Sequence, residues 1–169
     1  LALQRAVESE DLLARGYAEN LRGYALFRRG QMDDSGASFE RALEAFKEAG
    51  DLKALSLVYN NLGNVHRGRC NWKQSLEYYQ VAANLQAVEG CESERRKSLN
   101  NLGIVHLRLG HLPEARDCFE QSLAIGRRIG DVLSVIHSVL GLAETELHTG
   151  NYTASRDFLE QSLELCTQD

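Results

Sequence analysis

The 169 residues are 43% apolar and 25% charged, with a net charge of −5, the ordinary composition of globular domains. That charge is too small to imply that the whole molecule binds nucleic acid or a membrane surface, and no apolar run approaches the ~18 residues a membrane helix needs. A single Pro in the chain suits long helices.

Taken in order, the chain repeats itself every forty positions. Asn20-Leu21-Arg22-Gly23 is followed by Gly30, Asn60-Asn61-Leu62-Gly63 by Cys70, Asn100-Asn101-Leu102-Gly103 by Gly110, and Leu140-Gly141-Leu142-Ala143 by Gly150. A fixed period of this length decides architecture before any local reading is made. Residues 1–10 are in register with 41–50, and Asp11 with Asp51, so residues 1–11 are predicted to be the second helix of a truncated repeat. Four repeats follow, at 12–51, 52–91, 92–131 and 132–169, in one domain spanning 1–169. Because the pattern is already running at Leu1, the chain is expected to be a piece of a longer polypeptide.

Each repeat is predicted to hold a leading and a trailing helix. The leading helices fall at 12–29, 52–69, 93–109 and 132–149, capped by Asp11, Asp51 and Asp131, whose carboxylates accept from free first-turn amides. Ser93 is expected to take the cap in the third repeat. The trailing helices fall at 32–49, 72–89, 112–129 and 152–167, with Asn71 and Asn151 as caps and Pro113 in a first turn. Gly30, Gly110 and Gly150 end leading helices and Gly50, Gly90 and Gly130 end trailing ones, since glycine tolerates the left-handed turn; Cys70 is the exception.

Small residues set the packing. Gly23, Gly63, Gly103 and Ala143 share one register in the leading helices, and Ser35, Ser75, Ala115 and Ser155 one in the trailing helices, which lets the two backbones approach closely. Phe39, Tyr79, Phe119 and Leu159, and then Leu43, Ala83, Leu123 and Leu163, fill the rest of each contact. The third repeat carries the pattern most fully, in Leu102, Gly103, Gly110, Ala115, Phe119 and Ser122. At these positions the chain resembles the tetratricopeptide repeat family over nearly its whole length. Its forty-residue unit, against the family's usual ~34, is similar to the long-repeat subgroup of Pins-type polarity adaptors and bacterial signalling regulators. The first repeat departs most, with Arg22 where Leu is usual. The resemblance implies an all-α fold: a right-handed superhelical solenoid of antiparallel helix pairs, with the leading helices on the concave side.

No catalytic constellation is legible. His66 and His106 occupy one repeat position, which points to packing, and His111, His137 and His148 follow no metal-ligand spacing. No Gly-rich phosphate loop or nucleophile elbow is present. No enzymatic activity, cofactor or metal is expected. The four cysteines show no CxxC pair; they are expected to be free thiols in a reducing, cytoplasmic setting, with Cys118 and Cys166 serving as small hydrophobes.

The leading helices carry the functional signal. Asn20, Asn60, Asn61, Asn64, Asn100 and Asn101 lie inside them, although Asn costs a helix interior up to ~0.7 kcal/mol against Ala. By the resemblance, the Asn60/Asn100 and Asn61/Asn101 registers match positions that hold an extended peptide. A carboxamide can bond a peptide by donor and acceptor at once; the plain alternative is that one of each pair ties neighbouring repeats together. The first three leading helices are also net positive and the fourth net negative. Arg28, Arg29, Arg67, Arg69 and Arg108 sit at helix C-termini, where cations offset the macrodipole. Arg95, Arg96 and Lys97 crowd an N-terminus, where that argument fails. An acidic or carboxylate-bearing ligand is therefore expected near Lys97, Asn60, Asn64, Asn100 and Arg67, in a peptide-binding groove that also includes Asn20, Asn61, Asn101 and Arg108.

The expected function is a protein-interaction scaffold that holds an extended acidic peptide in its concave groove. The alternative is a regulatory or sensor domain of a larger bacterial signalling protein or transcription regulator. Direct nucleic-acid or membrane binding is not expected. Leu1, Leu3, Ala6 and Val7 at one end, and Leu159, Leu163 and Cys166 at the other, leave apolar faces for end-to-end association.

Overall fold

The computed structural model describes residues 2–167, with side chains from Asp11 onward. Among the described residues every element is a helix: α1 (Ala2–Arg28), α2 (Met32–Ala49), α3 (Leu52–Gly68), α4 (Trp72–Val88), α5 (Glu92–Leu109), α6 (Leu112–Ile129), α7 (Val132–His148) and α8 (Tyr152–Thr167). Two compact units result, one ending at Gly90 and the other beginning at Cys91. In the first, α1 packs on α2, α2 on α3 and α3 on α4, and α1 also meets α3. In the second, α5 to α8 follow the same order of contacts, with α5 meeting α7. The predicted class, all-α helix pairs repeating along the chain, is the observed one.

Helix ends follow the local chemistry with three corrections. Asp51 accepts from the Ala54 amide at 2.9 Å, and Asp131 from the Ser134 amide at 3.2 Å. Asn71 precedes α4 without a side-chain cap bond. Ser93 is not a cap, because α5 begins at Glu92 behind Cys91. The predicted break at Asp11 is absent, and α1 runs through it. The cause lies one residue earlier: α2 and α6 are closed by Gly50 and Gly130 in the left-handed conformation, both at φ 72°, whereas the equivalent position 10 is Glu. With no residue suited to that turn, the helix continues. The apolar side chains proposed for the first end, Leu1, Leu3, Ala6 and Val7, lie outside the described ones.

Cys70 occupies the turn its homologous positions give to glycine, at φ 59°. A side chain in that region costs about 1–2 kcal/mol. Cys70→Gly should therefore raise the unfolding free energy by about 1 kcal/mol, read as a higher urea midpoint with an unchanged slope.

The core is built on rings seated against glycines. A Cβ added at Gly23 would meet the Phe39 ring at 2.7 Å, one at Gly63 the Tyr79 ring at 2.6 Å, and one at Gly103 or Gly141 the Phe119 ring at 2.6 or 2.5 Å. Each ring is fully buried or nearly so. The facing small residues do more than make room. The hydroxyls of Ser35, Ser75 and Ser155 donate to the backbone carbonyls of Gly23, Gly63 and Ala143 at 2.8–2.9 Å. A serine there satisfies its own hydroxyl and pins the trailing helix to the leading one. At the last repeat, Leu159 and Leu163 are exposed; at their register in the preceding repeat, Phe119 and Leu123 pack into a cluster with Val135, Val139 and Leu142 of α7. Cys118 is buried, and desolvation pushes its thiol up to about 12. Cys166, read from sequence as a small hydrophobe, is exposed, because it lies near the end of α8 beyond that packing.

Candidate functional site

The carboxamides of the leading helices divide into three groups. Asn20 of α1 and Asn61 of α3 face each other, Asn61 Nδ2 donating to Asn20 Oδ1 at 2.9 Å, with Asn20 buried. This bond joins consecutive leading helices, so the pair is a tie within the first unit. Asn64 accepts from the Tyr79 hydroxyl at 2.7 Å, which fixes the ring that rests on Gly63. Asn60 and Asn101 are half-buried and engaged. Asn100 on α5 is half-buried, and its enclosed Oδ1 accepts no hydrogen bond from the described residues.

The cations divide in the same way. Arg67 lies beside Tyr79; burial pushes that phenol up to about 12 against the pull of the guanidinium. Arg69 crosses to α2, donating to the Met32 carbonyl at 2.8 Å and pairing with Asp33 at 2.6 Å. Arg108 pairs with Glu144 at 3.5 Å across α5 and α7. Of the three cations crowded at the start of α5, Arg96 is buried and pairs with Asp131 at 3.1 Å, and Arg95 donates to Gln121 at 3.4 Å. Only Lys97 of the triplet is exposed. The clash with the helix dipole thus has an internal answer for two of them. Asp131 serves twice, capping α7 through Ser134 and receiving Arg96, and both contacts hold its carboxyl below the usual range, the Ser134 bond most strongly.

Arg96 was hidden from sequence reading, yet a signal existed. Its register carries Gly16 and Ser56 in the two preceding repeats, both small, and Ile136 in the following one. Gly16 faces the Phe46 ring across α1 and α2, whereas Arg96 lies against Gly126 across α5 and α6. Bulk has moved from the trailing helix to the leading one, which marks Arg96 as an inward residue. The acidic reading of the fourth leading helix also changes: Glu146 is buried, pairs with Arg116 of α6, and accepts from Asn151 Nδ2 at 2.9 Å.

The surface also holds apolar side chains that the asparagines and cations had overshadowed. Tyr17, Leu21 and Tyr24 on α1 and Leu57 on α3 are exposed in the first unit, and Leu133, Leu140 and Leu147 on α7 in the second. His66 stacks on Tyr78 at 5.1 Å, and the His106 and His111 Nδ1 atoms lie 3.4 Å apart. Burial lowers both His66 and His106, as expected of packing residues. Among the described residues no three His, Cys, Asp or Glu side chains gather into a metal-holding group, and no helix is long and apolar enough to cross a membrane.

A family profile described as "Tetratricopeptide repeat" matches residues 14–87 and, overlapping, 54–128. The chain is 29% identical over 142 residues to the outer dynein arm-docking complex subunit 4 of Danio rerio, covering 84% of this chain and 29% of that protein. It spans less than a third of the length of this and the other curated relatives it matches. Among solved structures, BtubC from P. vanneervenii superposes with a TM-score of 0.83 at 19% identity, over 89% of this chain and 62% of that one. The TPR-like repeats of a putative kinesin light chain from Podosopora anserina do so with a TM-score of 0.76 at 17% identity, over 89% and 74%. At these identities the structural likeness concerns the fold.

Proposed function

The chain belongs to the tetratricopeptide repeat family, and on that premise we propose that it is a protein-interaction scaffold that binds an extended, acidic segment of a partner along its leading-helix faces. Proteins of this family mediate protein–protein contacts, and a docking-complex subunit is among this chain's relatives. The observation that carries the reading is the character of α5: Lys97 stands exposed beside Asn100, whose enclosed carboxamide oxygen accepts no bond from the described residues. A buried acceptor left so costs about 1–3 kcal/mol, and a small shift of the side chains that enclose it would open it to a ligand N–H. In the second unit Asn101 and Arg108 extend this lining along α5; in the first unit Asn60 and Arg67 of α3 form a lining of their own, which Asn20, Asn61 and Asn64 support from within. The mechanism is shape and charge, with no bond made or broken, and the setting is cytoplasmic. The forty-residue period favours the long-repeat branch that includes Pins-type adaptors and bacterial regulators. Charge reversal at Lys97 and at Arg67 should each weaken a captured acidic peptide about tenfold, checked by titration of a labelled peptide from an array screen.

A further inference from the structure

We infer that the α5/α7 face of the second unit receives an amphipathic helix of a partner protein, with leucine-type residues every three or four positions and acidic residues along one flank. This rests on the scaffold reading and, for this one face, puts a helical partner segment in place of the extended one.

The argument begins with spacing. Leu133, Leu140 and Leu147 recur every seven residues on α7 and are 72%, 40% and 53% exposed. Seven residues are nearly two helical turns, so the three side chains form one stripe with a rise of about 10.5 Å between them. A partner helix with its own seven-residue apolar repeat meets that stripe without drift. A β-extended segment repeats on one face about every 6.6 Å and would fall out of step by the second leucine.

Charge then selects the partner's flank. Glu144 lies between Leu140 and Leu147 on the stripe, and it is already paired with Arg108 of α5. That ion pair places the edge of α5 against the leucines. Lys97, eleven residues before Arg108, projects from nearly the same side of α5 three turns away and is exposed. Arg108 and Glu144 offset each other, so Lys97 sets the net charge beside the stripe as positive, and an acidic flank complements it. Leucines this exposed on the most apolar helix of the chain, rimmed by polar groups, match a surface used in association.

The test uses the whole chain and two synthetic, dye-labelled peptides. The first carries three heptads with leucine at the seam and glutamate on one flank. The second is the same peptide with proline in its middle heptad, which prevents a continuous helix. Fluorescence anisotropy should show saturable binding of the first and at least about tenfold weaker binding of the second. Leu133→Asp and Leu140→Asp should each weaken the first by about tenfold or more, and Lys97→Glu by severalfold. Leu133 is the more exposed of the two, so Leu133→Asp tests the face even if Leu140→Asp perturbs the fold; helicity by circular dichroism monitors both. The inference is overturned if the first peptide does not bind, if Leu133→Asp leaves its affinity unchanged, or if the proline peptide binds equally well. Equal binding that still depends on Lys97 would remove the helical partner and leave the scaffold reading standing; indifference of both peptides to Lys97→Glu would count against the scaffold reading too.

Discussion

Phe119→Ala should lower the unfolding free energy by about 3–5 kcal/mol, the largest effect expected of any single substitution in the second unit. The ring is fully buried and lies against two glycines, Gly103 of α5 and Gly141 of α7. Removing it opens a cavity whose walls at those two points have no side chain to swing inward, so relaxation recovers little. The site joins three helices, so the loss should appear both as a lower midpoint in urea and as faster amide exchange in α5, α6 and α7. Phe119→Leu should cost far less. A loss below about 1 kcal/mol for the alanine variant would show that the ring does not hold these helices together.

Arg116→Ala should cost about 3 kcal/mol, because it leaves the buried Glu146 without its cation. The pair is lopsided: the Glu146 side chain is 2% exposed and that of Arg116 is 42% exposed. Removing the arginine strands a carboxylate held otherwise by Asn151. Glu146→Gln keeps the shape and frees an arginine that can turn to water, so it should cost less than half as much. Chemical denaturation of the two variants side by side checks the ordering. The reverse ordering would mean that the stability lies in glutamate packing and not in compensation of its charge.

The period told the most about this chain. It placed every helix from α2 onward to within a residue or two, and it brought Gly23, Gly63 and Gly103 to the positions where rings press on the backbone. It failed at Asp11 for a local reason that was visible: position 10 is not glycine, so agreement in register did not bring agreement in turn chemistry. The candidate site was legible only in part. A residue's register says which face of its own helix it occupies, not what meets it from another. Asn20 and Asn61 share no register, and their bond depends on how α1 and α3 stagger. Arg96 and Lys97 are neighbours in sequence with opposite fates, because one turns toward Gly126 and Asp131 and the other toward solvent. The serine bonds to the leading-helix carbonyls were missed because small size alone already explained those positions.

The claim that partners are held by the leading-helix faces is tested most directly by one binding comparison. Lys97→Glu reverses an exposed cation on α5, and Arg156→Glu reverses an exposed cation on α8 that pairs with Asp157 and Glu160 of its own helix. With an acidic partner peptide, the first variant should lose about tenfold or more in affinity and the second should bind as the unaltered chain does. Equal affinities for the two variants would contradict the account, and a loss confined to Arg156→Glu would contradict it and place recognition on the trailing helices.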